Sequence, residues 1–89
     1  MELKQVEKIS KALSDVSRLK LVRYMQKNQG KMECTRACGL LDLAQPSISH
    51  HIKKLVEAGL INQHKIGRHY HYSLNHEMWD NFTLSLKNL

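Results

Sequence analysis

Gln45-Pro46-Ser47-Ile48-Ser49-His50-His51-Ile52-Lys53-Lys54-Leu55-Val56-Glu57-Ala58-Gly59 carries both ends of a helix and two contrasting faces. Pro46 suits a first helical turn, where its missing N–H removes no bond. Gly59 stands where helices commonly end in a left-handed residue. At about 100° per residue, Ile48, Ile52, Leu55 and Val56 form one apolar stripe. His50 and Glu57 face directly away from it, flanked by Pro46, Ser47, Lys53 and Lys54, while Ser49 and His51 fall on the borders. The outer face is therefore short and hydrogen-bonding near the N-terminus and cationic further along. That suits a helix whose N-terminal end enters the major groove of DNA while its lysines meet phosphates.

Outward from this helix, the chain reads as regular elements separated by clear breaks. A tight break at 42–45 precedes it, and a short helix from about Glu33 to Leu41 precedes the break. Asn28-Gln29-Gly30 closes an earlier helix that carries Leu19, Val22 and Met25, with Asp15 as its N-cap. Leu3, Val6, Ile9 and Leu13 give a first amphipathic helix. On the other side the period changes. Tyr70, Tyr72 and Leu74 alternate with His69, His71 and Ser73, and Gly67 supplies a turn after Leu60 to Lys65, which predicts a β-hairpin. Asn75 can cap a last helix with Trp79, Phe82, Leu86 and Leu89 on one face. The sum is a mainly α chain with a small β-hairpin, one winged helix-turn-helix domain over residues 1–89, in the order α-α-α-α-β-β-α.

Charge supports a polyanionic partner. Fourteen Lys and Arg against eight Asp and Glu leave a formal charge of +6. Residues 4–31 hold eight basic side chains against Glu7 and Asp15, and residues 45–71 hold Lys53, Lys54, Lys65 and Arg68 against Glu57. Nowhere does an apolar run approach the roughly 18 residues of a membrane span. Met1 to Lys11 lacks a signal-like apolar region, so the expected location is cytoplasmic, with the thiols of Cys34 and Cys38 reduced.

The expected partner is double-stranded DNA. Gln45, Ser47, Ser49 and His50 offer hydrogen-bonding groups to it, with discrimination assigned to His50 and Ser47. Lys53, Lys54, Lys65 and Arg68 are expected to meet phosphates, the last two from the hairpin tip. His51, at the core border, is expected to be a packed and satisfied imidazole. Tyr70 and Tyr72 are expected to pack on the domain. A domain this small has a marginal core. The stripes Leu3, Val6, Ile9 and Trp79, Phe82, Leu86 exceed what a four-helix core can cover, so they are expected to meet those of a second copy in a homodimer.

Cys34 and Cys38 lie about one helical turn apart on one face. Two readings stand: small core residues, or a thiol pair that senses oxidation or a soft metal ion. A complete metal site would need further ligands that the spacing does not identify, so no resident cofactor is assigned. No Ser/His/Asp set, phosphate loop or hydrolase signature points to an enzyme. The alternative to a DNA-binding regulator is a winged-helix protein–protein adaptor, since the fold alone does not decide.

The sequence resembles the ArsR/SmtB-type winged helix-turn-helix repressors over roughly residues 9–75. Ala12–Val22 is similar to their second-helix entry, Ala44–Ile61 to their recognition helix, and Gly67-Arg68 with Tyr70 and Tyr72 to their wing. The resemblance implies a homodimer joined through its first and last helices, an imperfectly palindromic operator, and an inducer that releases the protein from DNA. Three departures stand out. Val16 replaces the usual proline after the aspartate. Glu33-Cys34-Thr-Arg-Ala-Cys38 differs in spacing and register from the family's Glu-Leu-Cys-Val-Cys-Asp-Leu metal box. His76, Glu77 and Asp80 stand on the last helix without a second histidine beyond them. Neither metal site carries over, which leaves the inducer unknown.

Overall fold

Asp15 sets the first corner. Helix α1 (Leu3–Leu13) ends at Ser14, and α2 (Val16–Lys27) begins where Asp15 Oδ1 accepts the N–H groups of Ser17 at 2.8 Å and Arg18 at 3.2 Å. These bonds satisfy two of the donors that every helix N-terminus leaves free. The computed structural model describes all 89 residues. The remaining elements are β1 (Lys31–Glu33), α3 (Cys34–Leu41), α4 (Gln45–Glu57), β2 (Ile61–Ile66), β3 (His69–Leu74) and α5 (His76–Lys87).

Helices α3 and α4 with their turn form the helix-turn-helix. Asp42 takes the left-handed conformation at φ 49° and stops α3. Pro46 sits in the first turn of α4. At its far end Gly59 has φ +82°, with its N–H on Val56 O at 2.9 Å and the Leu60 N–H on Leu55 O at 3.1 Å. That pair of bonds closes the helix in the expected glycine-terminated geometry.

The hairpin is one strand short of the full sheet. β1 adds to β3, so the order is β1-β3-β2, all antiparallel, with Met32 opposite Tyr72 and Tyr72 opposite Gln63. Glu33, expected to open the third helix, is instead the last residue of β1, and α3 starts at Cys34. Two backbone bonds fix the sheet's base: Leu74 N–H to Gly30 O at 2.7 Å and Asn75 N–H to Leu60 O at 2.8 Å. Asn75 then caps α5 by accepting from Met78 N–H at 3.1 Å.

The core gathers Ile9 from α1, Leu21, Val22 and Met25 from α2, Ala37 from α3, Ile48, Ile52 and Leu55 from α4, and Tyr72 and Leu74 from the sheet. On α2 the buried stripe runs through Leu21, while Leu19, expected inside, is exposed. Helix α1 packs on both α4 and α5. The expectation that one chain cannot cover the first and last helices is corrected by that packing: Val6, Ile9 and Phe82 are buried within the single chain. Leu3, Leu84, Leu86 and Leu89 remain exposed, and Trp79 is half-buried beside Phe82 with ring centroids 6.2 Å apart.

Two stability measurements follow. Gly30 has φ +75°, and a Cβ there would meet His76 Nε2 at 2.5 Å, whereas a Cβ on Gly39 meets nothing within 4 Å. Gly30→Ala should lower unfolding free energy in urea by at least about 1–2 kcal/mol, and Gly39→Ala should leave it unchanged or slightly raised. Burial works to raise the Asp15 pKa, but bonds from the Arg18 and Ser17 N–H groups and the charges of His51 and Arg18 hold the carboxyl below its ordinary value. Its stabilising effect is therefore full at neutral pH and fades as pH falls through the folded-state value. Asp15→Ala should cost about 1 kcal/mol at neutral pH and flatten the acid limb of the stability profile.

Candidate nucleic-acid interface

The apolar stripe of α4 holds the helix by one face only. Ile48, Ile52 and Leu55 are buried, while Gln45, Pro46, Ser47, Ser49, His50, Lys53, Lys54 and Glu57 are exposed. No acidic residue occupies the first turn, and Ala44 offers no capping side chain. The positive end of the helix dipole is thus uncompensated by the protein and open to a phosphate. His50 is exposed, with its ring 6.0 Å from that of His51. Lys53 pairs loosely with Glu57 at 3.9 Å in an exposed setting, an interaction of little strength that leaves its charge available.

The wing adds a second cationic edge. Lys65 and Arg68 are exposed on either side of Gly67, whose φ of +62° makes the turn and which has open space around it. Lys65 Nζ lies 5.7 Å from the centroid of the Tyr70 ring, a cation–π contact. Tyr72 packs in the core as expected. Tyr70 does not: it is 38% exposed, and Lys65 stands over its ring. Between α4 and the wing a cleft of about 400 Å³ is lined by Gln45, Ser49, Lys53, Tyr70 and Cys34, among others. Ser49 therefore faces the wing, and Ser47 and His50 remain the residues turned outward.

Behind the interface lies a polar corner that periodicity did not reveal. His51 Nδ1 is buried 3.8 Å from Asp15 Oδ1, beyond hydrogen-bond reach, and Arg18 Nη2 is 3.7 Å from Asp15 Oδ2. His51 is packed, as expected, but its Nδ1 is not satisfied by any hydrogen bond. The one carboxylate that caps α2 thus also faces the recognition helix. A sequence signal existed in Asp15 and Arg18 at i and i+3, but nothing in it pointed to His51.

The thiols sit on α3, the helix before the recognition helix. Cys34 and Cys38 are free and half-buried. The Cys38 thiol donates to Gln45 Oε1 at 2.9 Å, and Gln45 Nε2 donates to Cys34 Sγ at 3.7 Å. The side-chain amide of Gln45 is thus turned back onto α3, away from the outward position assigned to it. Burial, and then the neighbouring Cys34, push the Tyr72 phenol up to about 12.

The sequence profile of the bacterial regulatory protein arsR family matches residues 15–63. An arsenical resistance operon repressor of Staphylococcus xylosus is 40% identical over 83 residues, spanning 90% of this chain and 75% of the relative. The chain belongs to the arsR family. An ArsR family transcriptional regulator of known crystal structure superposes with a TM-score of 0.85 at 25% identity, over 99% of this chain and 89% of that one. The homodimeric winged helix-turn-helix DNA-binding domain of a possible ArsR-family regulator from Mycobacterium bovis gives 0.77 at 21% identity, over 94% and 77%. This arsR-family chain is a DNA-binding transcriptional regulator and not an enzyme. No helix in it is long and apolar enough to cross a membrane.

Groove-facing and phosphate-facing side chains differ in what their loss does. His50→Ala and Ser47→Ala should relax base preference, by about 1–3 kcal/mol at the position each reads. Lys65→Ala should weaken all duplexes alike and reduce the salt slope by about one. Binding titrations of a selected operator and its single-base variants at several salt concentrations separate the two. An altered preference in Lys65→Ala with none in His50→Ala would invert the assignment.

Proposed function

We propose that this chain is a homodimeric repressor that binds an imperfectly palindromic operator and is released by a thiol-directed inducer. The observation that carries the DNA reading is the one-sided burial of α4, which leaves Ser47, His50, Lys53 and Lys54 outward beside Lys65 and Arg68 of the wing. The adaptor alternative does not account for an acid-free helix N-terminus flanked by two sets of cations.

For the dimer, the exposed Leu3, Leu84, Leu86 and Leu89 with half-buried Trp79 form an apolar end built from α1 and α5. Pairing that end across a two-fold axis covers it and sets two recognition helices about one DNA turn, roughly 34 Å, apart. The Mycobacterium bovis domain of the same fold is homodimeric. For the inducer, Cys34 and Cys38 offer two sulfurs on one helix face, and the Staphylococcus xylosus relative represses an arsenical resistance operon. A trivalent arsenical is soft and bonds thiolates.

Sedimentation at micromolar concentration should show a dimer, and Leu86→Glu or Trp79→Ala should shift it toward monomer and weaken operator binding in parallel. A monomeric wild type that binds a single half-site would overturn the dimer. Selection of bound sites from random duplexes should return inverted repeats.

A further inference from the structure

The turn of the helix-turn-helix is bridged by one side chain. Gln45 is the first residue of α4, and both polar atoms of its amide are engaged by α3: the carbonyl by Cys38 and the NH₂ by Cys34. These are the only side-chain hydrogen bonds between α3 and α4, and the rest of that contact is the shared apolar core around Ala37, Leu41, Ile48 and Ile52. No third His, Cys, Asp or Glu completes a metal cluster with the thiols. A ligand arriving there meets two sulfurs and one amide.

We propose that Gln45 is the relay by which a small thiol-directed ligand, entering the cleft between α4 and the wing and bonding Cys34 and Cys38, is felt by the recognition helix. This rests on the reading that the thiol pair receives the inducer.

The chemistry follows from what each bond requires. The Cys38 thiol must keep its proton to donate to Gln45 Oε1, and Cys34 must keep a free lone pair to accept from Nε2. Arsenite, as arsenous acid, removes the first condition outright and crowds the second. Two S–As bonds form and two As–O bonds break. Each departing hydroxyl takes a thiol proton and leaves as water, with no change in oxidation state. The thiol proton that bound Oε1 is gone, and the sulfur that bound Nε2 carries arsenic in its place. Cys34 and Gln45 both line the roughly 400 Å³ cleft that also holds Tyr70 and Tyr72, so the ligand has a path to the Cys34 sulfur, and Cys38 lies behind it on the Gln45 amide at 2.9 Å. Once released, Gln45 no longer ties the first turn of α4 to α3, and that turn is the part of the helix directed at the groove.

Coupling of this kind is reciprocal. Operator DNA, by favouring the tethered turn, weakens arsenite binding by the same factor by which arsenite weakens operator binding.

The test uses the full chain, an operator chosen by site selection, and arsenite as the probe. Free thiols are counted before and after arsenite, and folding is checked by thermal melting. Wild type should lose two free thiols per chain and about tenfold or more in operator affinity. Cys34→Ser/Cys38→Ser keeps hydroxyls for Gln45, so it should hold operator affinity within about twofold and ignore arsenite. Gln45→Leu should bind operator more weakly from the start, consume both thiols as wild type does, and lose less than about twofold on adding arsenite. Operator should likewise raise the arsenite dissociation constant for wild type but not for Gln45→Leu. A full further loss in Gln45→Leu would sink the relay and leave the thiol inducer standing. Wild type that consumes no thiols, or consumes them with no change in operator affinity, would overturn the thiol inducer and the relay with it.

Discussion

Everything outward-facing in this protein depends on the burial of Ile48, Ile52 and Leu55 against α1, α2 and the sheet. Burial of each such side chain contributes about 1.5–3 kcal/mol, and together they fix the roll of α4 about its own axis. The roll decides which residues meet DNA. A change of about 100° would bring Ser49 and Lys53 outward and turn His50 toward the core. The polar face needs no interactions of its own to be correctly aimed, because the apolar face aims it. Ser47, His50 and the lysines are therefore free to be chosen for the ligand alone.

Two polar devices sit at the ends of that seam. Asp15 caps α2 and lies beside His51, so one carboxylate refers the start of the second helix to the middle of the fourth. Gln45 refers the start of the fourth helix to the third. Both act on helix starts, where donors are otherwise unsatisfied and geometry is softest. The apolar core sets position coarsely through area, and these groups set it finely through direction.

What the sequence disclosed and what it withheld divide along the same line. The caps Asp15 and Asn75, the stop at Gly59 and the wing turn at Gly67 are local signals read from neighbours in the chain, and they place α2, α4, α5 and the hairpin. β1 was illegible because three residues with one apolar member, Met32, have no period, and its partner Tyr72 is remote in sequence. On α2, stripes through Leu19 or through Leu21 both fit a helical repeat, and only the packing chooses Leu21. Periodicity likewise marked Val6, Ile9 and Phe82 as apolar-faced without saying that α1 and α5 of the same chain cover one another. The Gln45 bridge depends on two polar side chains meeting across a turn, for which no pattern in the chain is diagnostic.

The base of the sheet carries a mechanical consequence. β3 is bolted at Leu74 to the end of α2 and at Asn75 to the end of α4, and it has no comparable anchor toward Gly67. The wing is thus a cantilever, rigid at its root and compliant at its tip. Lys65 and Arg68 ride on the compliant end, so they can follow a groove that widens or narrows with base composition while the root keeps α4 unmoved. Asn75 belongs to the root and also starts α5, so the same bolt that steadies the wing is the hinge pin of the helix at the apolar end.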